Sequence, residues 1–142
     1  MRAIGLDFGE RRIGVAVSDR SGTVASPFEV IQRNGSRRRD HDRIARLVVD
    51  EEAELVVVGL PRSMDGRLGP AARAALAEVQ ALGSVVGVPV LTHDERLTTV
   101  TAQRSLRQAG LDGRARRKVV DKVAAAVMLQ AWLDSPERRG LA

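Results

Sequence analysis

An α/β fold built on one mixed five-stranded sheet is what the sequence predicts, and three observations predict it. Short apolar segments with strand-like alternation or branching recur five times along the chain. The first three are joined by tight polar turns, as in an antiparallel meander. The last two alternate with helical patterns, as βα units of a parallel sheet do. The expected order is βββαβαβαα, with helices on both faces of the sheet and one domain spanning residues 1–142.

Arg2 to Asp7 is a buried strand, with Ala3, Ile4 and Leu6 as its apolar residues, and Gly9-Glu10 turns the chain. Arg12 to Asp19 sets Ile13, Val15 and Val17 against Gly14, Ala16 and Ser18, a period of two with the small residues on one face. Asp19 to Gly22 is a turn. Thr23 to Gln32 is a third strand, and Pro27 requires an edge position or a bulge because it cannot donate to a ladder. Ser36 caps a helix reaching about Glu52, with Ile44, Leu47 and Val48 as its apolar stripe. The unbroken run Leu55 to Leu60 has the length and branching of a strand buried on both faces. Residues 61–69 form a loop, and Pro70 opens a second helix ending near Leu82. Val88 to Thr92 is the fifth strand and runs into His93-Asp94-Glu95. Thr98 to Ala109 is a helix stopped by Gly110, Asp112 to Lys118 a basic loop, and Val119 to Leu133 a helix apolar nearly all round. A ribonuclease H-like sheet has this order of elements.

Composition limits the chemistry. There is no cysteine among the 142 residues, which excludes disulfides, thiolate metal sites and a cysteine nucleophile. Neither a signal peptide nor an apolar run of membrane-spanning length is present, so a cytoplasmic location is expected. The net charge is +5, and all the basic residues except Lys118 and Lys122 are arginine. Guanidinium forks suit phosphate oxygens, so the surplus favours a polyanionic partner, with plainly solvated arginine faces as the alternative. Phe8, Phe28 and Trp132 are the only aromatics. With so few rings to stack bases, any grip on nucleic acid rests on phosphate contacts and is salt-sensitive.

The acids at element ends carry the sharpest signal. Asp7 ends the first strand, where a carboxylate serves either a site or its own turn. Asp94 and Glu95 follow the fifth strand, and alternation allows only one of them to share a face with Asp7. Asp121 lies at the margin of the apolar face of the last helix, near Ala125, Met128 and Trp132 on a helical wheel. Such a carboxylate is paired or metal-bound, or complements the helix dipole. Three carboxylates gathered at one point repel one another, and a divalent cation reverses that cost. Oxygen donors without a Cys–His set suit Mg²⁺ or Mn²⁺, and two such ions would clamp the attacking and leaving oxygens of a phosphodiester.

Other motifs say less. The glycines around Asp7 match no P-loop or dinucleotide pattern. His41 and His93 have no partners at ligand or triad spacing and read as surface or strand-end histidines, and Ser18 lacks a nucleophile-elbow context. Arg37 to Arg39 and Arg114 to Lys118 are the basic runs suited to phosphate, Arg38, Arg116 and Arg117 among them, with solvated runs as the alternative.

Four segments together resemble the YqgF (RuvX) family of pre-16S rRNA nucleases and Holliday junction resolvases. They are Asp7 to Asp19, Val56 to Gly66, Asp94 to Thr99 and Asp121 to Leu133, spread over essentially the whole chain. The resemblance implies a ribonuclease H-like fold and a catalytic, metal-holding triad of Asp7, Glu95 and Asp121, with Asp94 a neighbour. Arg11, Arg96 and the Met64-Asp65-Gly66 loop correspond to substrate-side positions. The second helix departs from the pattern, with Val79 where an aromatic core residue is expected. The implied activity is metal-dependent cleavage of structured RNA, with pre-16S rRNA 5′-end processing ahead of Holliday junction resolution on branched DNA. A non-catalytic nucleic-acid-binding module is a further alternative. A monomer suits trimming of one strand and a homodimer suits a four-way junction. An actin-like kinase fragment shares the Asp-x-Gly opening, but 142 residues leave no second lobe to enclose a nucleotide.

Overall fold

The computed structural model describes residues 1–61, 67–94 and 113–139. Strands β1 (Ala3–Phe8), β2 (Arg12–Ser18) and β3 (Ala25–Gln32) form the antiparallel meander. Helix α1 (Arg37–Asp50) leads to β4 (Leu55–Leu60), and α2 (Pro70–Gly83) leads to β5 (Val90–Asp94). Helix α3 (Gly113–Leu133) and a single turn, α4 (Pro136–Arg139), close the described chain. The sheet order is β3-β2-β1-β4-β5, with β1, β4 and β5 parallel.

Pro27 satisfies both of its allowances. β3 is an edge strand, and the register of β2 against it shifts between Val15 and Ala16, where Ala16 comes to face Pro27. β4 is central and every residue in it is buried, which is why its sequence is an unbroken apolar run. The side chain of Ser36 accepts from the amide of Arg39 and caps α1, and Pro70 begins α2.

Alternation divides the sheet into two core layers. Ile4, Leu6, Ile13, Val15, Val56 and Val58 pack with Ile44 and Val48 of α1 and Leu82 of α2. Ala3, Ala16, Leu55 and Val57 pack with Ala125, Met128, Leu129 and Trp132 of α3. On β1 and β2 the α3 side is lined by small residues, so this helix sits close to those strands. Val79 packs against the first layer, filling the position where the family pattern calls for a larger ring.

Boundaries differ from expectation at a few points. β3 starts at Ala25, because the residues before it belong to the turn that Asp19 organises. β5 starts at Val90, after Pro89. Residues 113–118 are helical, not a loop: arginine, alanine and lysine are good helix formers, and an apolar stripe is not required for them to join α3. The helix expected over residues 98–109 lies outside the described residues. Among the described residues, no helix is long and apolar enough to cross a membrane.

Asp19 accepts from the amides of Thr23 at 2.7 Å and Val24 at 3.2 Å and from the Ser21 hydroxyl at 2.8 Å. The two amides, then Ser21, hold its carboxyl below the ordinary carboxylate range. Its contribution to stability is therefore complete above the unfolded value and is lost as pH falls through the lower folded one. In urea unfolding at stepped acidic pH, the wild type should lose stability more steeply than Asp19→Asn. Parallel curves would contradict this account of the turn.

Candidate active site

The placement of Asp7 follows from strand parity. Ile4 and Leu6 face α1 and α2, so Ala3, Gly5 and Asp7 face α3. A side chain on Gly5 would press on Leu129 of α3, with a Cβ–Cβ distance of only 2.8 Å. Two positions further along, Asp7 pairs directly with Gly14 of β2, so the two residues share a face. A Cβ on Gly14 would collide with the backbone carbonyl of Asp121. The bare backbone of Gly14 is thus a second point at which α3 rests on the sheet, and that contact sets the backbone of Asp121 against the strand position opposite Asp7.

Arg12 has the parity of Gly14 and also lies on the α3 face. Its Nε donates to Oδ2 of Asp121 at 2.5 Å, and about a quarter of each side chain remains exposed. The guanidinium fixes the orientation of this carboxylate. Arg12 did not figure among the residues singled out in the sequence. The signal was available: it precedes Gly14, Ala16 and Ser18 on the face of small residues that a helix must cover.

Because β1, β4 and β5 run parallel, Asp7, Leu60 and Asp94 lie at the same end of the sheet. The chain leaves β1 toward β2 on one side and β4 toward β5 on the other, so β1 and β4 flank a topological switch point, where α/β sheets bind ligands. Strand parity also separates Asp94 from Asp7. Val90 packs with the α1 and α2 layer and Leu91 with the α3 layer, so Asp94, in the register of Leu60, faces away from Asp7. His93 has the parity of Leu91 and shares the face of Asp7.

The structure sets Asp7 opposite Gly14, and the backbone of Asp121 lies against that glycine. Glu95, Arg96 and Met64-Asp65-Gly66 lie outside the described residues, and among those described no three His, Cys, Asp or Glu side chains form a cation site. Arg11 is exposed in the turn after β1. Arg38 is exposed in the first turn of α1, at the same end of the sheet but on the opposite face. Arg116 and Arg117 are in the opening turns of α3. His41 is not at the surface: it is 2% exposed within α1, against the edge of Phe8, because this helix buries a polar cluster beside its apolar stripe.

A five-stranded mixed sheet with an antiparallel meander at one edge, two further parallel strands and a helix lying across the face that carries Asp7 is the fold of the ribonuclease H-like class. Solved structures agree on the fold. Thermus thermophilus RuvC bound to a Holliday junction superposes with a TM-score of 0.55 at 21% identity, covering 94% of this chain and 96% of that one. The large terminase nuclease of the thermophilic phage G20c gives a TM-score of 0.53 at 14% identity over 93% and 81% of the two chains. A family model described as "RuvX: Holliday junction resolvase" matches residues 1–135, and the chain belongs to that family. Relatives named as pre-16S rRNA nucleases include one from Mycobacterium sp. (strain KMS), 50% identical over 134 residues, which span 94% of this chain and 79% of the relative. Another, from Thermoanaerobacter pseudethanolicus, is 43% identical over 140 residues, 98% and 100% of the two chains.

Gly14→Ala tests the contact between sheet and helix. The added methyl meets backbone, which cannot rotate away, so the expected loss is about 3 kcal/mol, the upper end for overpacking. Urea unfolding should report that loss, and cleavage should fall with it as Asp121 is pushed from Asp7. A fully stable, fully active variant would disprove the contact.

Proposed function

We propose that Asp7, Glu95 and Asp121 hold two Mg²⁺ or Mn²⁺ ions and that the protein cuts a phosphodiester of structured RNA, in the maturation of the 16S rRNA precursor in the cytoplasm. The observation that carries this reading is the Asp7–Gly14–Asp121 contact, which sets two hard carboxylate donors on one face at the carboxyl end of the parallel strands. The donor chemistry fits: oxygen ligands, no cysteine anywhere in the chain, and a switch-point position open to a polyanion. Glu95 is proposed as the third acid because Asp94 has the parity of the other face and because the family resemblance points to the next residue. When bound, the ions would supply an activated water and stabilise the departing oxygen.

The chain's own groups would act as follows. Arg12 keeps the Asp121 carboxylate oriented toward Asp7 and lowers the cost of gathering acids at one point. Arg11, Arg38, Arg96, Arg116 and Arg117 would contact phosphates along the strand, orienting it without reading its bases. The relatives' name supports RNA as substrate. The family description supports a second reading, resolution of branched DNA, for which a homodimer with two symmetric sites is the fitting assembly.

The test is cleavage by purified protein with Mn²⁺, on precursor 16S rRNA and on a synthetic four-way junction. Asp7→Asn and Asp121→Asn should each lower the rate by more than about 100-fold, the upper range for a group that only supports a ligand. Preference for the junction would favour the second reading, and activity that survives both substitutions would sink the site. Metal binding should also raise thermal stability, by about 2.7 kcal/mol at a hundred times the dissociation constant. Salt-dependent binding to RNA with neither cleavage nor metal stabilisation would instead indicate a non-catalytic module.

A further inference from the structure

On the opposite side of β1 from the acids lies a buried ionic cluster centred on Arg33, just past the end of β3. Its three guanidinium nitrogens each serve a different part of the fold. Nε donates to Oδ2 of Asp40 in α1 at 2.9 Å, and Nη2 to Oε2 of Glu78 in α2 at 2.8 Å. Nη1 donates to the carbonyl of Gly9, in the turn after β1, at 3.0 Å. The guanidinium also lies over the ring of Phe8, 5.6 Å from its centroid. Asp40 and Glu78 are almost fully buried. Nε of Arg37 forms an ion pair with the second oxygen of Glu78 at 2.9 Å, and Nε2 of His41 approaches that oxygen at 3.4 Å.

Buried ion clusters are poor sources of stability, since apolar packing of the same volume commonly does as well or better. What such a cluster supplies is geometry. Three fixed donors, two of them anchored on carboxylates from separate helices, hold the third on one backbone oxygen. That oxygen belongs to the turn joining Asp7 to Arg12. The amide of Arg33 donates to the carbonyl of Arg11 at 2.8 Å, so the same residue grips the turn again on its far side. The amide of Gly9 closes the turn on the carbonyl of Arg12 at 2.8 Å.

We propose that Arg33, set in place by Asp40 and Glu78, is a positioning residue for the nuclease site. It fixes the Gly9–Arg12 turn, and with it Asp7 at one end and Arg12, the partner of Asp121, at the other. The inference rests on the reading that Asp7 and Asp121 hold metal.

Arg33→Lys is the first test. It leaves a cation between the two buried carboxylates, but one ammonium cannot span Asp40, Glu78 and Gly9 together. Two quantities are measured: backbone amide exchange over Phe8 to Arg12 in metal-free protein, and the Mn²⁺ concentration giving half-maximal cleavage. The variant should fold, exchange this segment faster, and need about 10–100-fold more Mn²⁺, as loss of a residue supporting a metal ligand does, with kcat recovering at saturating metal. A residue that only held the fold together would lower Tm and leave the Mn²⁺ requirement unchanged. An unchanged requirement in a folded variant overturns the proposal. If Arg33→Lys does not fold, the triple variant Arg33→Met, Asp40→Asn, Glu78→Gln removes cation and buried charges together and is read in the same way. Failure of both to fold also overturns the proposal, because the cluster would then be a requirement of the fold. If the wild type cleaves without divalent metal, the metal-site reading fails on its own. Exchange at the turn still reports whether Arg33 holds it, and unchanged exchange would overturn the proposal.

Discussion

A missing side chain organises this protein. Gly14 lies opposite Asp7 in the β1–β2 ladder, and the backbone of α3 at Asp121 occupies the space a Cβ would need. Gly5, two residues before Asp7, lets the same helix down onto the sheet at Leu129. The close approach is what carries the backbone of Asp121 to the strand position opposite Asp7, more than a hundred residues earlier in the chain. It also explains why β1 and β2 carry alanine and glycine on the α3 side where they carry isoleucine, leucine and valine on the α1 side.

The arrangement concentrates charge at the carboxyl ends of the parallel strands, and the fold meets the resulting repulsion with arginine. Arg12 acts on the acid face, bonded directly to Asp121. Arg33 acts on the other face, through the turn that joins the two strands. Between them lies a turn of three residues, Gly9 to Arg11, tied to Arg12 and to Arg33 by backbone hydrogen bonds. Two layers of packing with different chemistry, one apolar and close, one ionic and buried, thus converge on one short segment. The preference for arginine follows from its planar set of donors, which can satisfy several acceptors at fixed angles where a lysine offers a single point charge.

Family membership and fold agree with this chemistry at different strengths. Relatives 42–50% identical span nearly all of the chain, and they carry the name of an RNA-processing nuclease. The solved structures are more distant, and what they share with this chain is the sheet and the helices over it. Fold alone does not specify an activity, so the site must carry the argument for mechanism.

Much of the fold was legible from one sequence, because alternation, apolar runs and caps are local properties. Pro27 announced an edge or a bulge, Ser36 a cap, and residues 55–60 a strand buried on both faces. Asp7 and Asp121 could be picked out as acids in costly places, yet nothing local brought them together or chose between Asp94 and its neighbour. Strand parity relative to the packing layers was needed, and it assigns Asp94 to the wrong face for Asp7. The role of Arg33 was invisible for the same reason. An arginine reads as solvated until the carboxylates that neutralise it arrive from other elements, here 7 and 45 residues along the chain. The sequence by itself determined which segments become strands and helices, because those choices depend on neighbours within a few residues. Only the tertiary structure decided which charges meet, because distances between elements are set by how closely their faces can pack.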